Sequence, residues 1–244
     1  MVLVHGLIGS LDYLEPRRRL PHNPVHTVDL LGYGRYADTA VASLSLSRQV
    51  GHLTKQVAAL GAPPAWFLGH SMGGAVVMLL ADREPGLVRG IINVEGNFTR
   101  KDAFWSSHIM GMSEAAWCGE FAEMRTDIGA WLIQCHIEPT PQRVTWATGI
   151  LNHQPPETVR AMSRALMEET CVPDFIDAVR RVVKGGIEIH LIAGEKSAAQ
   201  WDVPAFVKRA AASYTTIENT GHLMMLEAPD AFCDTINKIV RTSC

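Results

Sequence analysis

Apolar positions along the chain follow two alternating patterns. Short runs rich in β-branched and large aliphatic residues predict strands at 2–4, 25–28, 65–68, 90–94, 187–193 and 214–217. Apolar positions recurring with helical spacing predict helices at 47–60, 74–81, 203–212 and 229–240. Strands alternating with helices of this length are expected to form an α/β domain, a mostly parallel sheet with helices on both faces. In such sheets ligands bind beyond the carboxyl ends of the strands.

The alternation breaks between 98 and 176. No convincing strand is readable there, whereas helix starts are: Ser113 before Glu114, Thr140 followed by Pro141, and Pro155-Pro156 before Glu157. This stretch is expected to be an inserted helical cap, 98–176, on a core formed by 1–97 and 177–244. Four of the six tryptophans fall inside it (Trp105, Trp117, Trp131, Trp146). They suit either a lid with an apolar inner face or plain packing of the lid onto the core.

Residues 69–73 read Gly69-His70-Ser71-Met72-Gly73, between an apolar strand candidate and a helix candidate. A serine on a sharp strand-to-helix turn is held with its hydroxyl projecting from the sheet, and glycines on either side let the two elements approach. Ser71 is therefore the candidate nucleophile. A serine hydroxyl needs a base to take its proton. Of ten histidines, His222 is the strongest candidate, because it follows the last predicted strand on the same edge of the sheet as Ser71. The base needs a carboxylate to orient it. Glu95 directly follows the strand ending at Val94; Asp202 lies nine residues past Ala193, and Glu195 is the remaining competitor. Glu95 is favoured on that distance.

Developing negative charge on a tetrahedral intermediate requires prearranged donors. The backbone N–H of Leu7, in the loop after the first strand, and that of Met72, at the start of the helix after Ser71, are the candidates. His5 is expected to brace that loop and His70 to pack beside the nucleophile. Gly32-Tyr33-Gly34 reads as a tight turn, not a dinucleotide-binding fingerprint, and Arg17-Arg18-Arg19 as a solvated loop.

Composition narrows the partners. With 244 residues, 47% of them hydrophobic, the chain can bury a full core, and a net charge of −3 with scattered Lys and Arg argues against nucleic acid. Five dispersed cysteines, Cys118, Cys135, Cys171, Cys233 and Cys244, contain no C-x-x-C pair, and no H-E-x-x-H occurs, so neither a disulfide framework nor a zinc site is expected. The amino terminus carries no signal-peptide pattern, and no run approaches the roughly 18 apolar residues of a membrane span. A cytoplasmic protein acting on a small molecule is the expectation.

Together, Val2-Leu3-Val4-His5-Gly6, Asp29-Leu30-Leu31-Gly32-Tyr33-Gly34-Arg35, Gly69-His70-Ser71-Met72-Gly73 and Gly221-His222-Leu223-Met224-Met225-Leu226-Glu227-Ala228-Pro229 resemble the α/β-hydrolase superfamily over nearly the whole chain. The resemblance implies an acyl-enzyme mechanism on Ser71 without a cofactor. Many members carry the acid in a Gly-x-x-Asp turn; here Gly194-Glu195-Lys196-Ser197 has serine at that position. A minority, such as haloalkane dehalogenases and some lipases, place the acid after the preceding strand, as Glu95 would be. The family also usually has one or two strands ahead of the His-Gly strand, which here begins at residue 2. Either the sheet is shortened at one edge or the chain is incomplete, and an exposed edge makes a homodimer plausible.

These features converge on a serine hydrolase cleaving a carboxylic ester or thioester of a small, fairly apolar substrate. A carbon–carbon bond hydrolase or a biosynthetic thioesterase would use the same groups. A dehalogenase is disfavoured, since it needs a carboxylate where Ser71 stands. A non-catalytic ligand-binding protein or a cofactor-free oxygenase would have no need of a hydroxyl paired to a base.

Overall fold

A computed structural model of the chain describes residues 1–21, 24–61 and 64–242; Cys244 lies outside the described residues. Six strands form one sheet: β1 (Val2–Val4), β2 (His26–Val28), β3 (Ala65–His70), β4 (Val88–Val94), β5 (Glu188–Gly194) and β6 (Ser213–Ile217). Every pairing is parallel, in the order β2-β1-β3-β4-β5-β6. This is the expected α/β-hydrolase architecture. The strand order reverses between β1 and β3, and the crevice above such a reversal is where open α/β sheets bind ligands.

The helices are α1 (Pro16–Arg19), α2 (Leu46–Ala59), α3 (Met72–Arg83), α4 (Phe104–Gly111), α5 (Glu114–Thr126), α6 (Ile128–Gln134), α7 (Pro141–Leu151), α8 (Pro156–Thr170), α9 (Pro173–Lys184), α10 (Ala205–Ala210), α11 (Met224–Glu227) and α12 (Pro229–Thr242). Alternate strand residues face opposite layers, as the period-2 geometry of a strand requires. Val4, Phe67, Ile91 and Leu191 join the core beneath α2, α3 and α9. Leu3, Leu68, Ile92 and Ile192 pack instead under α12 through Phe232 and Ile236. Helix α3 is buried from Met72 to Ala81, which explains why its sequence is apolar around the whole circumference.

Several boundaries differ from the sequence reading. Strand β3 runs two residues further, to His70, and α3 begins at Met72. The helix expected at 203–212 is only Ala205–Ala210: Pro204 holds the residue before it out of helical conformation, and Ala211 is already extended into β6. Arg17 and Arg18 are solvated as expected, but with Pro16 and Arg19 they form the short helix α1 rather than a loop; Arg18 pairs with Glu15, and the half-buried Arg19 with Asp230 at the start of α12.

Between β4 and β5 the described chain is helical and contains no strand. Its helices begin with side-chain caps where the sequence offers them: Ser113 accepts from Ala116 N–H, Asp127 from Ala130 N–H and Thr140 from Arg143 N–H. Helix α9 was not read from the sequence. Its buried Phe175, Ala178, Val179 and Val182 lie on one face and pack against α3 of the core. Position 176, the expected end of the insertion, falls inside this helix.

Candidate active site

Ser71 joins β3 to α3 with φ 53° and ψ −123°, a conformation that non-glycine residues rarely adopt and that persists only where the surroundings enforce it. The enforcement is visible. Ser71 N–H donates to Val94 C=O at 3.0 Å, and its own carbonyl accepts from Gly74 N–H at 2.9 Å and Asn97 N–H at 3.2 Å. The flanking glycines allow the crossing: a Cβ on Gly69 would lie 2.5 Å from the Gly73 oxygen, and one on Gly73 2.5 Å from the carbonyl oxygens of Val4 and His5. The Ser71 side chain does not cap α3, so its hydroxyl is left to the cavity it borders.

Glu95 follows β4 directly, also at positive φ (41°), and is 5% exposed. Its two carboxylate oxygens are engaged separately. Oε2 lies 2.7 Å from His222 Nδ1, while Oε1 accepts from Gly194 N–H at 2.9 Å and from the Ser197 hydroxyl at 2.6 Å. Burial alone would raise the Glu95 pKa, but the His222 bond and charge, with the Ser197 and Gly194 donors, bring it below the ordinary carboxylate value. A carboxylate on Nδ1 fixes the His222 tautomer with its proton there and leaves Nε2 as the free base.

The two rival acids are elsewhere. Asp202 accepts from the Thr99 hydroxyl at 2.8 Å and lies near Lys101. Glu195 accepts from Asn219 N–H at 2.8 Å on the surface. Ser197, standing where the resemblance leads one to expect an aspartate, instead donates to Glu95 at the end of the neighbouring strand.

His222 sits in the turn between β6 and α11, in edge contact with Phe104, ring centroids 5.7 Å apart. Its main chain is anchored by His70, whose Nε2–H donates to the His222 carbonyl at 3.0 Å. Burial, and the charge that His222 would carry, hold the His70 pKa well below its ordinary value, so His70 is a neutral strut. The sequence reading took His70 for a packed neighbour and missed this link, which no local pattern signals.

The loop after β1 approaches Ser71 from the other side: a Cβ on Gly6 would lie 3.1 Å from Ser71 Cβ. His5 braces this loop as expected. Its Nδ1–H donates to Gly6 C=O at 2.8 Å and its Nε2 accepts from Leu30 N–H at 3.4 Å, and burial depresses its pKa to about 4. The buried Tyr33 hydroxyl donates to Leu7 C=O at 2.9 Å. Among the described residues the Leu7 N–H has no acceptor, and that of Met72, first in α3, has none within its helix. Met72 is buried as a whole, its side chain in the core.

Ser71, His222 and Leu7 open onto one cavity of about 480 Å3. Its far wall comes from the 98–176 segment, through Phe104, Trp105, Trp131, Ile150 and Leu166. The four tryptophans of the segment thus divide: Trp105 and Trp131 face the cavity, Trp117 is fully buried and donates to Pro156 C=O, and Trp146 packs on Tyr13. Among the described residues no group of three or more His, Cys, Asp or Glu side chains converges as a metal site. The arrangement places a hydroxyl and an imidazole on one cavity, with Leu7 on its wall and the imidazole oriented from behind by a buried carboxylate.

The described fold belongs to a known class. The chain matches the model of the alpha/beta hydrolase family over residues 1–235, and it belongs to that family. A pimeloyl-[acyl-carrier protein] methyl ester esterase of Yersinia pseudotuberculosis is 37% identical over 106 residues, 42% of this chain and 39% of that protein. The match thus spans about two fifths of the relative's length. Among solved structures, a thermophilic esterase from Thermogutta terrifontis superposes with a TM-score of 0.75 at 19% identity, covering 99% of this chain and 89% of the other. An esterase from Exiguobacterium antarcticum gives 0.73 at 17% identity, covering 98% and 91%. These likenesses are of fold.

Proposed function

We propose that the protein is a serine hydrolase that cleaves a carboxylic ester of a small, fairly apolar substrate, with Ser71, His222 and Glu95 as its catalytic residues. The observation that carries this reading is the 2.7 Å contact between His222 Nδ1 and Glu95 Oε2 beside a strained, uncapped Ser71 on the same cavity. His222 Nε2 takes the Ser71 proton as Oγ attacks the carbonyl, and the imidazolium formed is stabilised by Glu95. The Leu7 and Met72 amides receive the oxyanion. His222 then protonates the leaving alcohol, and water activated by the same nitrogen releases the acid and frees Ser71.

The 98–176 segment acts as the lid in this reading, its apolar side chains enclosing the substrate and excluding water. The partial similarity to an esterase of acyl-carrier-bound methyl esters adds carrier-linked and free methyl esters to the substrates worth testing. Thioesters would use the same groups. The free thiols of Cys118, Cys135, Cys171 and Cys233 agree with a reducing, cytoplasmic setting, and no described helix is long and apolar enough to cross a membrane.

Intact mass after fluorophosphonate treatment tests the proposal. One adduct on the natural protein, absent from Ser71→Ala, is expected; no adduct on folded protein would overturn it and favour a ligand-binding role.

A further inference from the structure

The loop that follows β1 is held by side chains. Among the described residues, Gly6 to Gly9 make no backbone–backbone hydrogen bond outside the sheet. His5 bonds the Gly6 C=O, the Tyr33 hydroxyl donates to Leu7 C=O, and Gly9 N–H donates to Gln154 Oε1 at 3.2 Å. The first two anchors come from the core. The third comes from the 98–176 segment, 145 positions further along the chain.

Gln154 is 1% exposed and both ends of its amide have matching partners, since its Nε2–H donates to Ile150 C=O at 3.2 Å. Its carbonyl accepts from the Arg125 guanidinium at 3.0 Å. The preceding residue, His153, meets the turn that carries Tyr33: its carbonyl accepts from Gly34 N–H at 2.7 Å, and its Nε2 lies 3.0 Å from Asp29 Oδ1. Pro155 and Pro156 follow, and their fixed φ angles stiffen the turn between α7 and α8. A rigid frame therefore presents Oε1 to Gly9. Gly9 is itself buried, and a buried N–H is costly to leave without an acceptor, so the loop must shift if Gln154 is lost. Leu7, Ile8 and Ser10, on either side of Gly9, line the cavity shared with Ser71, and a shift of the loop is felt there.

We infer that Gln154 is a positioning residue of the hydrolytic site: through Gly9 it sets the loop that presents the Leu7 N–H to the oxyanion, so the lid segment contributes to transition-state stabilisation as well as to enclosure. This rests on the serine-hydrolase reading, with Leu7 as an oxyanion donor. Such a donor acts on charge that develops only in the transition state, so misaligning it lowers kcat and leaves ground-state binding nearly unchanged.

Steady-state kinetics with p-nitrophenyl butyrate and inhibition by 1,1,1-trifluorohexan-2-one test this. Ser71 Oγ bonds to the ketone carbon, the carbonyl π pair moves onto oxygen and the hydroxyl proton passes to His222, so the adduct carries the oxyanion without a leaving group. In Gln154→Met, of similar length but without the amide, kcat should fall about 10-fold or more and the ketone's Ki should rise in proportion, with KM within about twofold. Glu169→Met is the control. It removes a different tie of the same segment, to the Leu46 and Ser47 amides at the start of α2, and should change kcat and Ki by less than about twofold. Gln154→Asn, one methylene shorter, provides the same readout should the methionine variant fail to fold. Unchanged kcat and Ki in a folded Gln154 variant, a raised KM at constant kcat, or an equal loss in Glu169→Met would overturn the inference. Fluorophosphonate labelling of the natural protein, run alongside, separates that failure from failure of the serine-hydrolase reading itself.

Discussion

His222 Nδ1 and Glu95 Oε2 lie 2.7 Å apart although the two residues are 127 positions apart in the chain. The contact joins the loop after β6 to the end of β4, across β5, and Glu95 reaches it because the positive φ at that residue turns its side chain off the strand end. Replacing Glu95 by Gln keeps the shape but removes the charge that favours the imidazolium. Turnover should fall by about 10,000-fold, with KM much less affected. Asp202→Asn should retain near-normal turnover, since that carboxylate serves Thr99 rather than His222. Steady-state kinetics on both variants checks the pair, and the reverse pattern would sink the assignment.

Ser197 is predicted to matter through Glu95. Its hydroxyl is 2.6 Å from Oε1 and helps keep the carboxylate ionised. Ser197→Ala should reduce kcat by about 10-fold, the loss of one charge-assisted hydrogen bond, and should move the acidic limb of the pH–rate profile upward. A profile identical to the natural protein's would show that Gly194 N–H suffices.

Gly73→Ala should be poorly tolerated. The added methyl would stand 2.5 Å from the carbonyl oxygens of Val4 and His5, and backbone cannot swing aside as a flexible side chain can. A destabilisation of about 1–3 kcal/mol is expected, read as a lower Tm. Slower fluorophosphonate labelling should accompany it, because the β1 loop is pushed from Ser71. A normal Tm would mean that β1 and α3 can separate without cost.

Stability should fall on mild acidification. His5 has a native pKa near 4 against an ordinary value of 6.5, and His70 is shifted in the same direction. The unfolded chain therefore binds more protons than the native one below about pH 6.5, and stability falls as pH drops from there toward 4. Glu95, whose native pKa is depressed, adds to the loss as pH falls below its unfolded value. Urea midpoints at pH 7.5 and 5.0 should differ clearly, and His5→Asn should narrow the difference. Equal midpoints would contradict buried, neutral histidines.

Local pattern made much of this molecule legible. Each of the six strands was readable within a few residues, because alternation and β-branched content are properties of neighbouring positions. The turn at Ser71 was readable for the same reason, since the glycines that permit the crossing sit two residues either side of it. Helix α9 could have been read as well: Pro173 at its start and the spacing of Phe175, Ala178, Val179 and Val182 form an amphipathic signature.

Other features depended on residues far apart in the chain. Ser197 meets Glu95 across 102 positions, and His70 holds the His222 carbonyl across 152. Nothing in either local sequence announces its partner. The cavity is likewise a product of packing: Trp105 and Trp131 face it while Trp117 is buried within the helices, although all three lie on helices of the same segment. By itself the sequence determined the parallel α/β sheet, the approximate positions of its strands and the residue types available near their ends, because these follow from short-range periodicity and backbone sterics. Only the tertiary structure decided which carboxylate faces His222, what supports it and which side chain of the 98–176 segment holds the loop after β1. Those depend on crossovers and helix packing that bring distant segments within hydrogen-bond reach.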